Sequence, residues 1–382
     1  MPGAMPIYLD HQATTPTDPR VVEAMLPWFA EQFGNPHSAD HEWGWRAEEA
    51  VELARRQVAS LVGAQAAEII FTAGATEANN LALLGLAPTL RAQGRRHIVA
   101  SPLEHPSVAA CLARLAVEGF EVTILPVDPG GVLDPARILD ALSPETGLVT
   151  VIAASHEIGT LQPLDAIAVH CRNLGAVLHS DAAQAVGKVP FAAGAADLLS
   201  LSAHKIHGPK GIGALVARGG ARSLLQPILL GGGQEGGLRS GTVPVPLAVG
   251  FGAAAALAAE QTEPEGRRLA DLRARLLAGL DAAGLDYAVN GALDRRLPGN
   301  LSLRFAGLDA ETLIARVRSR IAISAGAACS SARRTASPAL LALGLDEAAA
   351  LATIRIGLGR STGPAEIDLA VGAFAAAVAE AA

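Results

Sequence analysis

A chain of 382 residues, 50% apolar and only 18% charged, is too long for one small core and too apolar for disorder. A large globular domain with a smaller companion is expected. The net charge of −7 gives no electrostatic reason to bind nucleic acid or an anionic membrane surface.

In chain order, residues 1–16 run from a short apolar stretch into the turn-rich DHQATTPTDP and read as an arm joining the small domain. Residues 46–61 carry apolar side chains at helical spacing. A brief strand over 68–71 leads into Thr72-Ala73-Gly74-Ala75-Thr76-Glu77, which opens a helix to about residue 86. Next come a strand at 97–100, a helix at 107–117, strands at 121–125 and 148–153, and a helix at 164–174. This alternation predicts an α/β fold, a mostly parallel central sheet with helices on both faces. The segment GGGQEGGLRSGT, 231–242, must be a loop, and a helix follows over 247–260. QTEPEG, 261–266, reads as a hinge, so the large domain spans 17–261 and the small α/β domain 262–382. The small domain has expected helices near 267–282, 310–317, 338–343 and 364–381, and strands near 301–305 and 354–357.

The stretch 176–213 organises the chemistry. An apolar strand at 176–179 leads to Asp181, and a second at 198–201 leads to Ser202, His204 and Lys205. Parallel strands present chemistry beyond their carboxyl ends, so Asp181 and Lys205 are expected to face one crevice. A lysine and a carboxylate separated by something planar and cationic suit pyridoxal 5'-phosphate (PLP). The lysine forms the Schiff base, and the carboxylate keeps the ring nitrogen protonated. Gln184 would reach the same side. The 72–76 turn at a helix start offers free N–H groups to a phosphate, though an ordinary N-cap fits it equally. His204 and His207 lack a nearby carboxylate or Cys to complete a metal set, so no metal is expected. His105 follows a strand and could stack on a ring and exchange protons; a helix-start histidine without catalytic duty is the alternative.

The three cysteines stand apart with no CxxC pair, and the opening residues show no secretory leader. The apolar runs are too short to cross a bilayer, and a reduced, cytoplasmic setting is expected. Cys329, in SAGAACSSARR, lies among small residues beside Arg333 and Arg334, which favours thiolate. Cys111 and Cys171 fall in apolar helices and read as small hydrophobes. Arg355, in TIRIGLGR, is the best-placed guanidinium for a substrate carboxylate, although an isolated strand arginine is often a surface residue.

Together IYLDHQATTP, GNPHSADHEWG, FTAGATEANN, EHPSV, EIGTLQP, HSDAAQAVGK, SAHKIHGPKGIGAL, GGGQEGGLRSGT, SAGAACSSA and IRIGLGR resemble cysteine desulfurases of the NifS/IscS type. These are fold-type I PLP enzymes of the class V aminotransferase group, and the match covers nearly the whole chain. The resemblance implies that Lys205 carries PLP, Asp181 partners the pyridinium, Gln184 and position 156 meet the phenolic oxygen, and His105 is the stacked acid/base. It also implies that Ala75, Thr76, Ser202 and His204 hold the phosphate, and that Thr242 reaches the phosphate of the other subunit of a homodimer. Asn35 and Arg355 would bind the carboxylate of L-cysteine. Cys329 would accept sulfur as a persulfide and pass it to an acceptor protein, in iron–sulfur cluster assembly or another pathway.

Three departures stand out. Ser155-His156 replaces the family's usual Asn-Asn, and His11 replaces the usual Tyr or Asn. The sequence given also ends soon after its last helix, without the tail that docks a scaffold protein. The rival readings are a selenocysteine lyase or aminotransferase of the same class, which would not need Cys329, and a catalytically silent PLP-fold partner protein. No GxGxxG follows the first strand, which argues against a nicotinamide dehydrogenase.

Overall fold

The computed structural model describes residues 5–191, 193–326 and 335–380. A two-residue strand, β1 (Ile7–Tyr8), precedes seven strands of one sheet. These are β2 (Ile69–Thr72), β3 (His97–Ala100), β4 (Glu121–Ile124), β5 (Thr146–Thr150), β6 (Val177–Asp181), β7 (Leu198–Ser202) and β8 (Gly213–Ala217). Their order across the sheet is β2-β8-β7-β6-β5-β3-β4. The ladders joining β4, β3, β5, β6 and β7 are parallel, whereas β8 runs antiparallel to both neighbours. Strands β5 to β8 are buried along their whole length. Helices on both faces require that. One core packs Val58, Phe71, Val149, Leu199 and Phe251 on one face, and a second packs Leu81, Leu86, Ile98, Leu112 and Leu215 on the other.

The rest of the chain forms β9 (Tyr287–Val289), β10 (Asn300–Phe305), β11 (Ile321–Ala322), β12 (Ser324–Ala325) and β13 (Thr353–Gly357). Four of them make an antiparallel sheet, β12-β13-β10-β9, and β1 pairs in parallel with β11. A third core closes this layer, with Leu276, Leu303, Ile356 and Phe374 fully buried.

The break expected at 261–266 is absent. A single helix, Val245–Ala282, runs through it with Pro264 inside. Proline removes one backbone hydrogen bond and usually ends a helix. Here the flanks are anchored in two different cores, Ala254, Ala255 and Ala258 in one and Leu269, Leu272, Leu276 and Leu280 in the other. That packing outweighs the local breaker.

A buried ion pair fixes the 231–242 loop to the sheet. Arg55 donates Nη1 and Nη2 to the Glu235 carboxylate at 2.7 and 2.8 Å, and the Phe71 N–H adds a third bond at 2.8 Å. Glu235 adopts φ 52° to reach them. Removing Glu235 takes two charge-assisted bonds from Arg55, which keeps Glu52 and the Ile69 carbonyl, and leaves the Phe71 N–H without its acceptor. We expect Glu235→Ala to lower the unfolding free energy by about 3–5 kcal/mol in urea denaturation; a loss below about 1 kcal/mol would contradict this role.

Candidate active site

The parallel β6–β7 ladder sets Asp181 opposite Ser200, so both strands end at one edge of the sheet. The chain leaves β7 through one tight helical turn, Ala203–Lys205. Asp181, Ser202, His204 and Lys205 consequently line a single cavity of about 920 Å³, together with Ala75, Thr76, His105, His156, Gln184 and Arg355. That volume suits a small molecule with room for a second.

Lys205 is held by the N-terminal arm. Its Nζ donates to the carbonyls of Gln12 at 2.5 Å and Ala13 at 2.8 Å. Burial and then the charge of Arg355 push its amine down to about 8, against the opposing pull of Asp181 and Asp10. The arm also fixes the lysine's loop. Thr15 Oγ1 donates to the His204 carbonyl at 2.9 Å, and His204 Nδ1 lies 3.0 Å from Thr14 Oγ1. Burial and the neighbouring lysines lower the His204 ring to about 4, so it is neutral. His207 turns away, its Nδ1 on the Pro16 carbonyl at 3.0 Å. No group of three His, Cys, Asp or Glu able to hold a metal ion occurs among the described residues.

Asp181 is buried, and its carboxylate accepts from Asn79 Nδ2 at 2.8 Å and the Ala183 N–H at 3.0 Å. Asn79 Nδ2 also donates to Ser107 Oγ at 2.9 Å, and Ser107 Oγ lies 2.7 Å from His105 Nδ1. His156 meets the His105 ring edge-on, with centroids 5.1 Å apart. Burial, reinforced by His105, lowers His156 to about 3, and its Nδ1 has no partner among the described residues.

In the same cavity, the helix Ala75–Ala92 begins without a side-chain cap. Its first N–H groups therefore keep their donors free for an anion. The turn before it is held from outside: Glu77 accepts the Ala73 N–H at 2.7 Å and Arg239 Nε at 2.8 Å. Gly74 sits at φ 156°, ψ 177°, a conformation open essentially to glycine alone. A Cβ at Gly213 would lie 2.7 Å from the Gly74 Cα, so two glycines let the turn rest against β8.

Other expected residues stand differently. Arg355 reaches the cavity already paired, Nη2 to Asp10 Oδ1 at 2.9 Å. Gln184 spends its amide on protein, Nε2 on the Gln12 carbonyl at 2.9 Å and Oε1 on Lys188 Nζ at 2.6 Å. Asn35 is exposed, folded into a turn with Oδ1 on the His37 N–H, and is not among the cavity's lining residues. Thr242 is likewise exposed and outside that lining. Cys329, with Arg333 and Arg334, lies outside the described residues. Cys111 and Cys171 are buried, and burial raises them to about 11 and about 12, so neither is a nucleophile.

Asp10, Asn79, Ser107 and Lys188 complete the site and were not singled out from sequence. All four lie within the motif strings, but nothing in their spacing distinguishes them from surface polar residues. Burial lowers Lys188 to about 7 beside Lys205.

The depressed Lys205 has a signed consequence. Its folded value, about 8, lies below the free lysine value of 10.5, so between them the unfolded chain binds more protons and stability rises with pH. In the ligand-free protein, wild type should gain about 1–2 kcal/mol more than Lys205→Met between about pH 7.5 and about pH 9.5. Equal gains in the two proteins would show an ordinary amine.

Known proteins share this architecture. The aminotransferase class-V family matches residues 7–369. A curated cysteine desulfurase IscS of Rickettsia bellii is 47% identical over 369 residues, 96% of this chain and 90% of its own length. A solved NifS-like protein superposes with a TM-score of 0.91 at 34% identity, covering 98% of this chain and all of that one. A structure described as SspA in complex with cysteine gives a TM-score of 0.81 at 36% identity, over 92% of this chain and 98% of that one. With the family's extent covered from the first strand to the last helix, the chain belongs to the class-V aminotransferases, and its sheet is that of the NifS-like, fold-type I enzymes.

Proposed function

We propose that this protein is a PLP-dependent cysteine desulfurase, taking sulfur from L-cysteine to leave L-alanine. The observation that carries the reading is that Lys205, Asp181 and an uncapped helix start share one cavity. The residues present fit a phosphorylated pyridine aldehyde: a half-buried amine of lowered pKa, a buried carboxylate, and a glycine cradle with free N–H donors. The curated relative at 47% identity supports the reaction, and the cysteine-bound neighbour supports the substrate.

When bound, PLP supplies an aldehyde that condenses with amines and a ring that accepts electrons. Lys205 Nζ would hold the aldehyde and, once displaced by substrate, take the proton from its Cα. An amine near pH 8 exchanges protons readily under neutral conditions. Asp181 would keep a proton on the pyridine nitrogen, and its bond from Asn79 fixes the carboxylate for that task. The N–H groups of Ala75 and Thr76, with Ser202 and His204, would receive the phosphate. His105 and His156 would cover the ring face, and Gln184 would meet the phenolic oxygen with the Nε2 proton that the Gln12 carbonyl does not take. Arg355 would clamp the substrate carboxylate, and the Asp10 pairing holds the guanidinium in place; Asn35, outside this chain's cavity lining, would have to move in to serve as second contact.

Cys329 would attack the substrate sulfur as thiolate. The C–S bond breaks, the sulfur remains on Cys329 as a persulfide, and the carbon is protonated to alanine. An acceptor protein then takes the sulfur, and a homodimer in which Thr242 completes the partner's phosphate site is part of the same reading. No helix among the described residues is long and apolar enough to cross a membrane.

Two measurements test the proposal. Purified wild type should show a visible chromophore and form alanine from L-cysteine, and Lys205→Ala should lose both; a retained chromophore would contradict the assignment. Cys329→Ser should leave no bound persulfide and slow alanine formation at least about a hundredfold. Undiminished turnover would point instead to a lyase or transferase that does not use this thiol.

A further inference from the structure

We propose that Asn79 and Ser107 are positioning residues that fix His105 as the tautomer protonated on Nε2, so that it offers the cavity an N–H and not a lone pair. The proposal deepens the desulfurase reading and rests on it for the identity of what His105 faces.

The hydrogen-bond chain Asp181–Asn79–Ser107–His105 has its polarity forced from both ends. An ionised carboxylate can only accept, so the bond of 2.8 Å to Asp181 Oδ2 must come from Asn79 Nδ2. That choice fixes the amide orientation and leaves Asn79 Oδ1 buried without a partner among the described residues. The second Nδ2 proton goes to Ser107 Oγ at 2.9 Å. At the far end the Ser107 backbone N–H, which can only donate, points at His105 Nδ1 at 3.1 Å. His105 is the N-cap of the helix Pro106–Val117, so this bond belongs to the helix start.

A ring nitrogen that accepts a backbone N–H carries no proton of its own. The Ser107 hydroxyl, already accepting from Asn79, gives its proton to the same Nδ1 at 2.7 Å. The neutral ring therefore holds its proton on Nε2, and His105 is one of the residues that line the cavity.

The charged and titratable groups around the ring act in both directions. Burial and Lys205 favour the neutral form, Asp181 favours the cation, and the His156 ring packs edge-on. The relay adds two donors to Nδ1 and so opposes protonation there. His105 then serves as a fixed hydrogen-bond donor toward anionic atoms of cofactor or substrate. The task of taking the Cα proton falls to Lys205 alone.

Long-range proton–nitrogen NMR of the holoenzyme labelled with 15N-histidine, with His105 assigned through His105→Gln, reads the tautomer directly. Wild type should show the proton on Nε2 at neutral pH. Ser107→Ala should raise the ring's titration midpoint by about half a pH unit or more, and Ser107→Thr, which keeps the hydroxyl, should restore it. A wild-type proton on Nδ1 would overturn the proposal. So would a folded Ser107→Ala with an unchanged midpoint, or equal shifts in the alanine and threonine variants. Alanine formation from L-cysteine is assayed separately, so loss of the desulfurase reading and loss of the relay are distinguishable.

Discussion

The parallel hydrogen bonding of β6 to β7 is the constraint on which the site depends. It brings two strand ends to one edge of the sheet, with Asp181 level with Ser200 and Lys205 one tight turn beyond β7. Backbone ladders are stiff and cooperative, so the spacing of the carboxylate and the amine is set by the sheet and not by flexible loops. The N-terminal arm then closes over the amine with two carbonyls, and Thr14 and Thr15 tie the same loop down from that side.

Within this frame the electrostatics are crowded with cations. Lys205 and Arg355 line the cavity and Lys188 is close enough to feel both, with Asp181 and Asp10 as the charges opposing Lys205. A low-dielectric site magnifies such imbalances, and each cation here resolves its charge differently. Lys205 is pushed toward neutrality, Arg355 is paired with Asp10, and Lys188 is spent on the Gln184 amide. An added dianion such as a phosphate ester would relieve this positive excess, which is a physical reason for the protein to hold one.

Much of this was legible in the sequence. Strand–helix alternation gave the mostly parallel sheet, and turn residues after apolar runs located Asp181, Lys205 and the 72–76 cradle. What could not be read has specific causes. The pairing of β8 with β2, Thr72 opposite Gly213, joins segments far apart in the chain, and no local signal in GALVA encodes it. Pro264 and Gly266 announce a break that packing of one helix into two cores overrides. The pairing of Asp10 with Arg355, 345 positions apart, and the Asn79–Ser107 relay arise only when separate elements meet. Polar residues of that kind look like solvent-facing ones until their burial is known.

The central claim is that Lys205, and no other amine, holds the cofactor aldehyde against Asp181. Borohydride reduction of the purified protein followed by peptide mass mapping tests it most directly. A phosphopyridoxyl mass confined to the peptide carrying Lys205 is the expected result. The same mass on Lys188, or on Lys210, which also lines the cavity, would contradict the account.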